Sequence, residues 1–195
     1  MTDTFNVIEE PAYWPAYYGR LRVRVAAPQY YHGKDVVKEE YSRQVWNSKE
    51  TDLSDYFWPH IKKLLDMGRF KGDIITPMPS STPDHTSPTL TSLTEKIAQH
   101  LRIQQKTLLK RIKESGTKEC KKHKERFERI NGSLEAINCE EVKDKIVIIL
   151  DDTRTTGMNI LEATKVLLAK GAKETIGICL GINESKEFYS KSKKR

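Results

Sequence analysis

Two adjacent carboxylates followed by a hydroxyl-rich turn, Asp151-Asp152-Thr153-Arg154-Thr155-Thr156-Gly157-Met158-Asn159, carry the densest potential for chemistry in this chain. Thr155, Thr156 and Asn159 offer side-chain donors, and Gly157 lets the backbone approach a bound group closely. The unpaired first amides of a following helix, with their partial positive charge, suit a phosphate. Two carboxylates beside such a cradle do not grip more phosphate. They accept hydrogen bonds from neighbouring hydroxyls, or hold a divalent cation through water. A sugar phosphate with free vicinal hydroxyls satisfies both halves of the turn. An aspartyl-nucleophile phosphatase needs a second Asp two residues after the first, where Thr153 stands, and a P-loop needs a Lys directly after the glycine, where Met158 stands. Helix capping alone accounts for one polar residue and not six.

The elements that must position this turn are legible on either side of it. Ile146-Val147-Ile148-Ile149-Leu150 is an apolar run with four β-branched residues, which predicts a strand buried on both faces of a parallel sheet. Ile160 to Lys170 has helical spacing, with Ile160, Ala163, Val166, Leu167 and Lys170 around one side, and Gly171 closes it. The turn therefore lies at the carboxyl end of a strand, where open α/β sheets bind ligands. A second unit of the same kind begins at Asp73-Ile74-Ile75-Thr76-Pro77, continues through a loop containing Ser80, Ser81 and Thr82, and enters a helix from about Thr89 to Leu101. By residue type that loop is also an ordinary capped βα connection.

From the strand through Thr155-Thr156-Gly157, the sequence resembles the phosphoribosyl-pyrophosphate (PRPP) motif of type I phosphoribosyltransferases: an apolar strand, two acids, two variable residues, then Thr-Thr-Gly. The resemblance implies an α/β fold, a mostly parallel sheet with helices on both faces and a small N-terminal hood. It implies that Asp151 and Asp152 serve catalysis by holding the ribose 2- and 3-hydroxyls, and that they meet Mg²⁺ indirectly, through ribose or water. Thr153, Arg154, Thr155, Thr156, Gly157, Met158 and Asn159 would wrap the 5-phosphate, and Ser80, Ser81 and Thr82 would hold the pyrophosphate. The implied activity is Mg²⁺-dependent transfer of a phosphoribosyl group from PRPP to a nitrogen nucleophile. Asn159 stands where the motif usually has Thr or Ser. Thr155 stands where the 6-oxopurine salvage branch has an acid, which argues against that branch.

Within the family the pattern resembles competence-factor-F-like (ComF-like) proteins over about residues 41–182. Arg111, Arg126 and Gly132-Ser133-Leu134 follow in that group's order, and Tyr41 and Lys49 match its aromatic and Lys ahead of the second helix. The group's N-terminal zinc ribbon is missing, since residues 1–40 contain no Cys, and the 80–82 loop lacks its Arg and Gly. Lys118-Glu119-Cys120-Lys121-Lys122-His123 also resembles the mobile catalytic loop of orotate phosphoribosyltransferase, although it lies further from Asp151 than in that enzyme.

With 195 residues, 37% hydrophobic and 31% charged, the chain is long enough for one domain with a sizeable core. No apolar run approaches the ~18 residues of a membrane span, and the N-terminus reads as no signal peptide, so a cytoplasmic protein is expected. Three scattered cysteines give no disulfide framework. The net charge of +7 is concentrated: residues 106–129 hold ten basic residues against four acidic, and residues 184–195 five against two. Such clustering suits a polyanion, and Lys118, Lys121, Lys122 and Lys124 are the candidate nucleic-acid contacts, with a solvated helix face as the plain alternative. The other reading of function is thus a non-catalytic PRPP-sensing or nucleic-acid-linked protein on the same fold. The partners expected are PRPP, an acceptor the sequence does not identify, and a second copy in a homodimer.

Along the chain, residues 1–50 are expected to form the hood, 51–183 the phosphoribosyltransferase core, and 184–195 a basic mobile tail. Residues 1–19 read as irregular, and Arg20-Leu21-Arg22-Val23-Arg24-Val25 as an alternating strand with its arginines on a solvated, edge-like face. Leu53 to Met67 reads as a helix with Pro59 inside it, Thr107 to Ile112 as a short strand, Glu119 to Ile130 as a helix, and Ser133–Asn138 as a hairpin-like turn.

Overall fold

In the computed structural model, which describes residues 8–31 and 39–183, the chain runs β1 (Ile8–Glu9), β2 (Ala12–Tyr13), α1 (Pro15–Tyr18), β3 (Arg22–Ala27), β4 (Gln29–Tyr31), α2 (Glu40–Asn47), α3 (Ser54–Asp66), β5 (Ile74–Pro77), α4 (Pro88–Leu101), β6 (Gln104–Gln105), β7 (Leu109–Arg111), α5 (His123–Ile130), β8 (Leu134–Ala136), β9 (Ile146–Arg154), α6 (Met158–Ala169) and β10 (Glu174–Asn183). This is a mixed α/β protein. Its central sheet has the order β1-β3-β10-β9-β5-β6, with β4 beside β10 and β2 beside β3. Every pairing among β3, β4, β5, β6, β9 and β10 is parallel, and only β1 and β2 run antiparallel.

The apolar run at Ile146 is the central strand, and its side chains alternate between two cores because strand geometry has period two. Val147 and Ile149 join α6, the N-terminal strands and the β7–β8 ribbon on one face. Ile148 and Leu150 join α2, α3 and α4 on the other. Both sheet faces are thereby covered by helices, as an uninterrupted β-branched run requires.

Several boundaries differ from the sequence expectation, each for a local reason. The strand does not stop at Leu150 but continues to Arg154, because β10 runs alongside it and pairs Thr153 with Gly181 and Arg154 with Ile182. Residues 8–18 are not irregular: β1 and β2 add antiparallel strands to β3. The arginine-bearing strand β3 is consequently an inner strand, between β10 and β1, with Val23 and Val25 buried and Leu21 half-buried. Glu40–Asn47 forms helix α2, where the sequence pattern is weak. Leu134–Ala136 forms no hairpin of its own and pairs with β7, about 25 residues upstream in sequence. Helix α5 starts at His123 rather than Glu119, where Glu125 Oε2 accepts the amides of Lys121 and Lys122 at 3.1 and 3.3 Å. Helix α3 runs unbroken through Pro59. The 184–195 tail lies outside the described residues. Among the described residues no helix is long and apolar enough to cross a membrane.

Candidate functional site

Because β5 and β9 are parallel neighbours, with Pro77 beside Leu150, the turn after Arg154 and the loop after Pro77 leave from the same edge of the sheet. Asp151 and Asp152 lie near the end of β9, followed by Thr153 and Arg154, and the alternation of the strand sends them to different surroundings. Asp151 is buried, 6% exposed, next to Cys179 of β10 in the ladder. Burial pushes its carboxyl well above the ordinary aspartate range, and the neighbouring Asp152 adds to that shift, against the opposing effects of Lys49 and Arg111. Its Oδ1 accepts the amide of Asp152 at 2.9 Å.

Asp152 is half-buried and stands on the side of α2. Its Oδ1 accepts from both the amide of Thr153 (2.6 Å) and the Thr153 hydroxyl (3.1 Å). Its Oδ2 is ion-paired with the ammonium of Lys49. Burial alone would pull that ammonium down, but Asp152, aided by Asp151 and Tyr31, holds it above the usual lysine value. Burial likewise raises the Tyr31 phenol, which Lys49 lowers and Asp152 raises in turn.

The turn itself is Thr155-Thr156-Gly157, leading into α6. Among the described residues the amides of Thr155, Thr156 and Gly157 donate no backbone hydrogen bond, and the first helical closure is Leu161 N–H to Gly157 O at 3.0 Å. The Met158 amide has only a long contact, 3.4 Å, to Thr156 Oγ1. These orphan donors, at the positive end of the α6 dipole, form a cradle for an anion. Gly157 sits at φ 76°, and a Cβ there would lie 2.6 Å from Ala12 Cβ. The glycine is thus demanded by conformation and by the approach of β2, in addition to any bound group. Asn159 leaves its Oδ1 buried without a partner, a condition that buried polar atoms in folded proteins seldom keep.

Two members of the expected phosphate wrap are committed elsewhere. The Arg154 guanidinium is buried, ion-paired with Glu10, and donates to the Pro11 carbonyl at 3.0 Å, so it clamps the N-terminal segment. Met158 is fully buried. The N-terminal segment in turn reaches the cradle: Trp14 Nε1 donates to Thr156 O at 2.6 Å, Trp14 packs on His123 at 4.3 Å, and Tyr17 stacks on Phe127 at 4.8 Å.

Ser80 is half-buried, while Ser81 and Thr82 are exposed. The loop is shaped from behind by Arg111 at the end of β7, which is 1% exposed. Its Nε donates to Ser80 O at 2.9 Å, one terminal nitrogen to Pro79 O at 3.3 Å, and the other to Ser133 Oγ at 2.6 Å. Burial pulls this guanidinium down from its usual value, with Asp151 and Glu162 opposing. The Ser115 amide adds a bond to Ser81 O at 2.9 Å. Gly132, next to Ser133, donates its amide to the fully buried Glu162 of α6 at 2.7 Å. Tyr41 is buried and donates its hydroxyl to Leu180 O at 2.7 Å, so its role is to pin α2 to β10.

Lys118, Lys121, Lys122 and Lys124 are all exposed on the α5 side. Lys118 Nζ lies 4.8 Å from the centroid of the Trp46 ring on α2, and Lys124 pairs with Glu128 at 3.8 Å. No three His, Cys, Asp or Glu side chains gather into a metal cluster among the described residues. The adjacent Asp151 and Asp152 supply oxygen donors that fit a hard cation only when ligand or water oxygens complete its shell. Two cavities, of about 730 and 500 Å³, lie at the opposite, amino edge of the sheet beside Lys145 and Glu174.

Sequence reasoning did not find Trp14 at Thr156, Glu162 at Gly132 or the partner of Lys49. Aromatic density in residues 11–18 and a lone acid within the apolar α6 were the available signals.

No protein-family model matches the sequence, and no curated protein matches it. Two solved structures resemble the chain over 61% of its length. One is glutamine phosphoribosylpyrophosphate amidotransferase from B. subtilis complexed with ADP and GMP, at 20% identity and a TM-score of 0.43. The other is described as the allosteric regulatory enzyme of purine biosynthesis, at 19% identity and a TM-score of 0.42. The match spans 24% of each of those chains.

Proposed function

We propose that this protein is a phosphoribosyltransferase that uses PRPP and Mg²⁺. The observation that carries the reading is one sheet edge bearing three things together: the Asp151–Asp152 pair, the orphan amides of Thr155, Thr156 and Gly157, and the Ser80–Thr82 loop fixed by Arg111. The amides at the start of α6 take the 5-phosphate. The carboxylates accept the ribose hydroxyls and hold the sugar so that C1 faces the acceptor. Ser80, Ser81 and Thr82 offer donors to the pyrophosphate, and Mg²⁺, when bound, supplies charge neutralisation there. A nitrogen nucleophile adds at C1 as the C1–O bond to pyrophosphate breaks, through an oxocarbenium-like state that the Asp152 carboxylate stabilises electrostatically. The test is pyrophosphate release from PRPP and Mg²⁺ in the presence of a panel of nucleobases and other nitrogen acceptors.

A second reading, PRPP sensing or nucleic-acid binding without turnover, is favoured by the exposed lysines of the 118–124 stretch and by a loop at 80–82 that contains no cation. PRPP binding with no product from any acceptor would select it. DNA or RNA binding that weakens steeply from about 50 to 200 mM salt, and loses that slope when Lys118, Lys121, Lys122 and Lys124 become Gln, would place the nucleic acid on this face.

A further inference from the structure

Resting on the phosphoribosyl reading above, we infer that Lys49 is the diphosphate-binding cation of this site and that it exchanges Asp152 for the ligand when PRPP enters.

Three observations carry this. The first is a charge deficit. The loop that would take the diphosphate is Met78-Pro79-Ser80-Ser81-Thr82-Pro83-Asp84, which has no Lys or Arg. Arg111, the arginine behind it, spends its donors on Ser80 O, Pro79 O and Ser133 Oγ. A diphosphate in a site without a cation of its own is poorly held, since charge-assisted contacts are the strong ones.

The second is placement. Lys49 follows α2 in a turn that is stapled to the start of α4, the helix into which the 80–82 loop runs. Ser87 Oγ donates to Ser48 O at 2.5 Å, Thr89 Oγ1 to Thr51 O at 2.7 Å, and Thr89 Oγ1 accepts the Leu53 amide at 2.9 Å. The ammonium therefore projects from the α4 side of the sheet edge and meets Asp152 at the end of β9. It thus stands at the ribose half of the site, on a turn held to the helix that follows the 80–82 loop.

The third is the state of Asp152. Its Oδ1 is engaged by Thr153, and its Oδ2 by Lys49. A sugar hydroxyl arriving at Asp152 competes with the ammonium for Oδ2. The lysine side chain is 40% exposed, so it is not enclosed on all sides by the protein. A long, flexible stem ending in a compact charge suits such a hand-over better than a planar guanidinium.

The test measures binding of three probes, each with Mg²⁺, to the wild-type protein and to Lys49→Gln: ribose 5-phosphate, inorganic pyrophosphate and PRPP. The expected result is that Lys49→Gln weakens PRPP and pyrophosphate by about tenfold or more, the loss of one charge-assisted contact, and leaves ribose 5-phosphate unchanged or tighter. Lys49→Arg should recover part of the diphosphate affinity. If Lys49 merely orients Asp152, the two ribose-bearing ligands, ribose 5-phosphate and PRPP, weaken together while pyrophosphate binding is unchanged. That outcome overturns the inference, as does unchanged PRPP binding. If the wild type binds ribose 5-phosphate and PRPP with no gain from the diphosphate, the inference falls while the reading of the 151–157 turn stands. If the wild type binds neither, both fall. Retained circular dichroism and melting of the variants separates these outcomes from misfolding.

Discussion

The indole of Trp14 donates to the carbonyl of Thr156 at 2.6 Å, tying the N-terminal segment to the turn before α6 across 142 residues of sequence. Trp14→Phe keeps the ring that packs on His123 but removes the donor. It should cost about 1–2 kcal/mol, and lower the melting temperature by roughly 2–8 °C for a chain of this length. Phosphate or ribose 5-phosphate should recover part of that loss by ordering the same turn. Thermal denaturation with and without ligand checks both halves.

Arg111 offers a second test, because it is buried with three acceptors of fixed geometry. Replacing it by Met leaves the Ser80 and Pro79 carbonyls and Ser133 without their donor, at a cost on the order of 3 kcal/mol. Arg111→Lys keeps the charge, yet one ammonium cannot match the guanidinium fork. It should fold and still bind ribose 5-phosphate while losing affinity for pyrophosphate. Equal loss for both ligands would contradict the loop-shaping role.

What the sequence disclosed and what it did not divide along lines of locality. The β-branched run, the turn and α6 are contiguous, so period and composition sufficed to place them. The extension of β9 through Asp151–Arg154 was hidden because those polar residues are held in strand by β10, whose register no local pattern encodes. Strand β7 was legible within Thr107 to Ile112, but its partner β8 and the two-residue strands β1 and β2 exist only through pairing with distant chain, and their own sequences carry no period long enough to read. Lys49 and Asp152 are 103 positions apart, so their pairing could not be read locally, although both residues stood out separately. The Arg154 clamp on Glu10 was equally invisible, because its partner lies in the N-terminal segment.

Asp151 gives a pH prediction with a definite sign. Its native carboxyl titrates at about 8 against an unperturbed value of 3.8, so the native state holds a proton that the unfolded chain has released. Stability is therefore unaffected by this group below about pH 4 and falls as pH rises from there toward about 8, where the unfolded chain binds fewer protons than the native one. Asp151→Asn keeps an acceptor for the Asp152 amide and removes the ionisable group, so that neither state releases a proton there. It should flatten that slope and raise stability near neutrality by about 1–3 kcal/mol. Denaturant melts between pH 5 and 8 would show it. A variant less stable than wild type at pH 7.5 would mean that the carboxylate is compensated in the native state.

The most direct test of the central claim is the melting temperature of the wild type and of Asp151→Asn/Asp152→Asn, each with and without millimolar PRPP and Mg²⁺. A ligand that binds only the native state stabilises it by about 2.7 kcal/mol at a hundredfold excess over Kd. The phosphoribosyl account predicts a clear upward shift for the wild type and little or none for the folded double variant. No shift in the wild type, or an equal shift in both proteins, would contradict it.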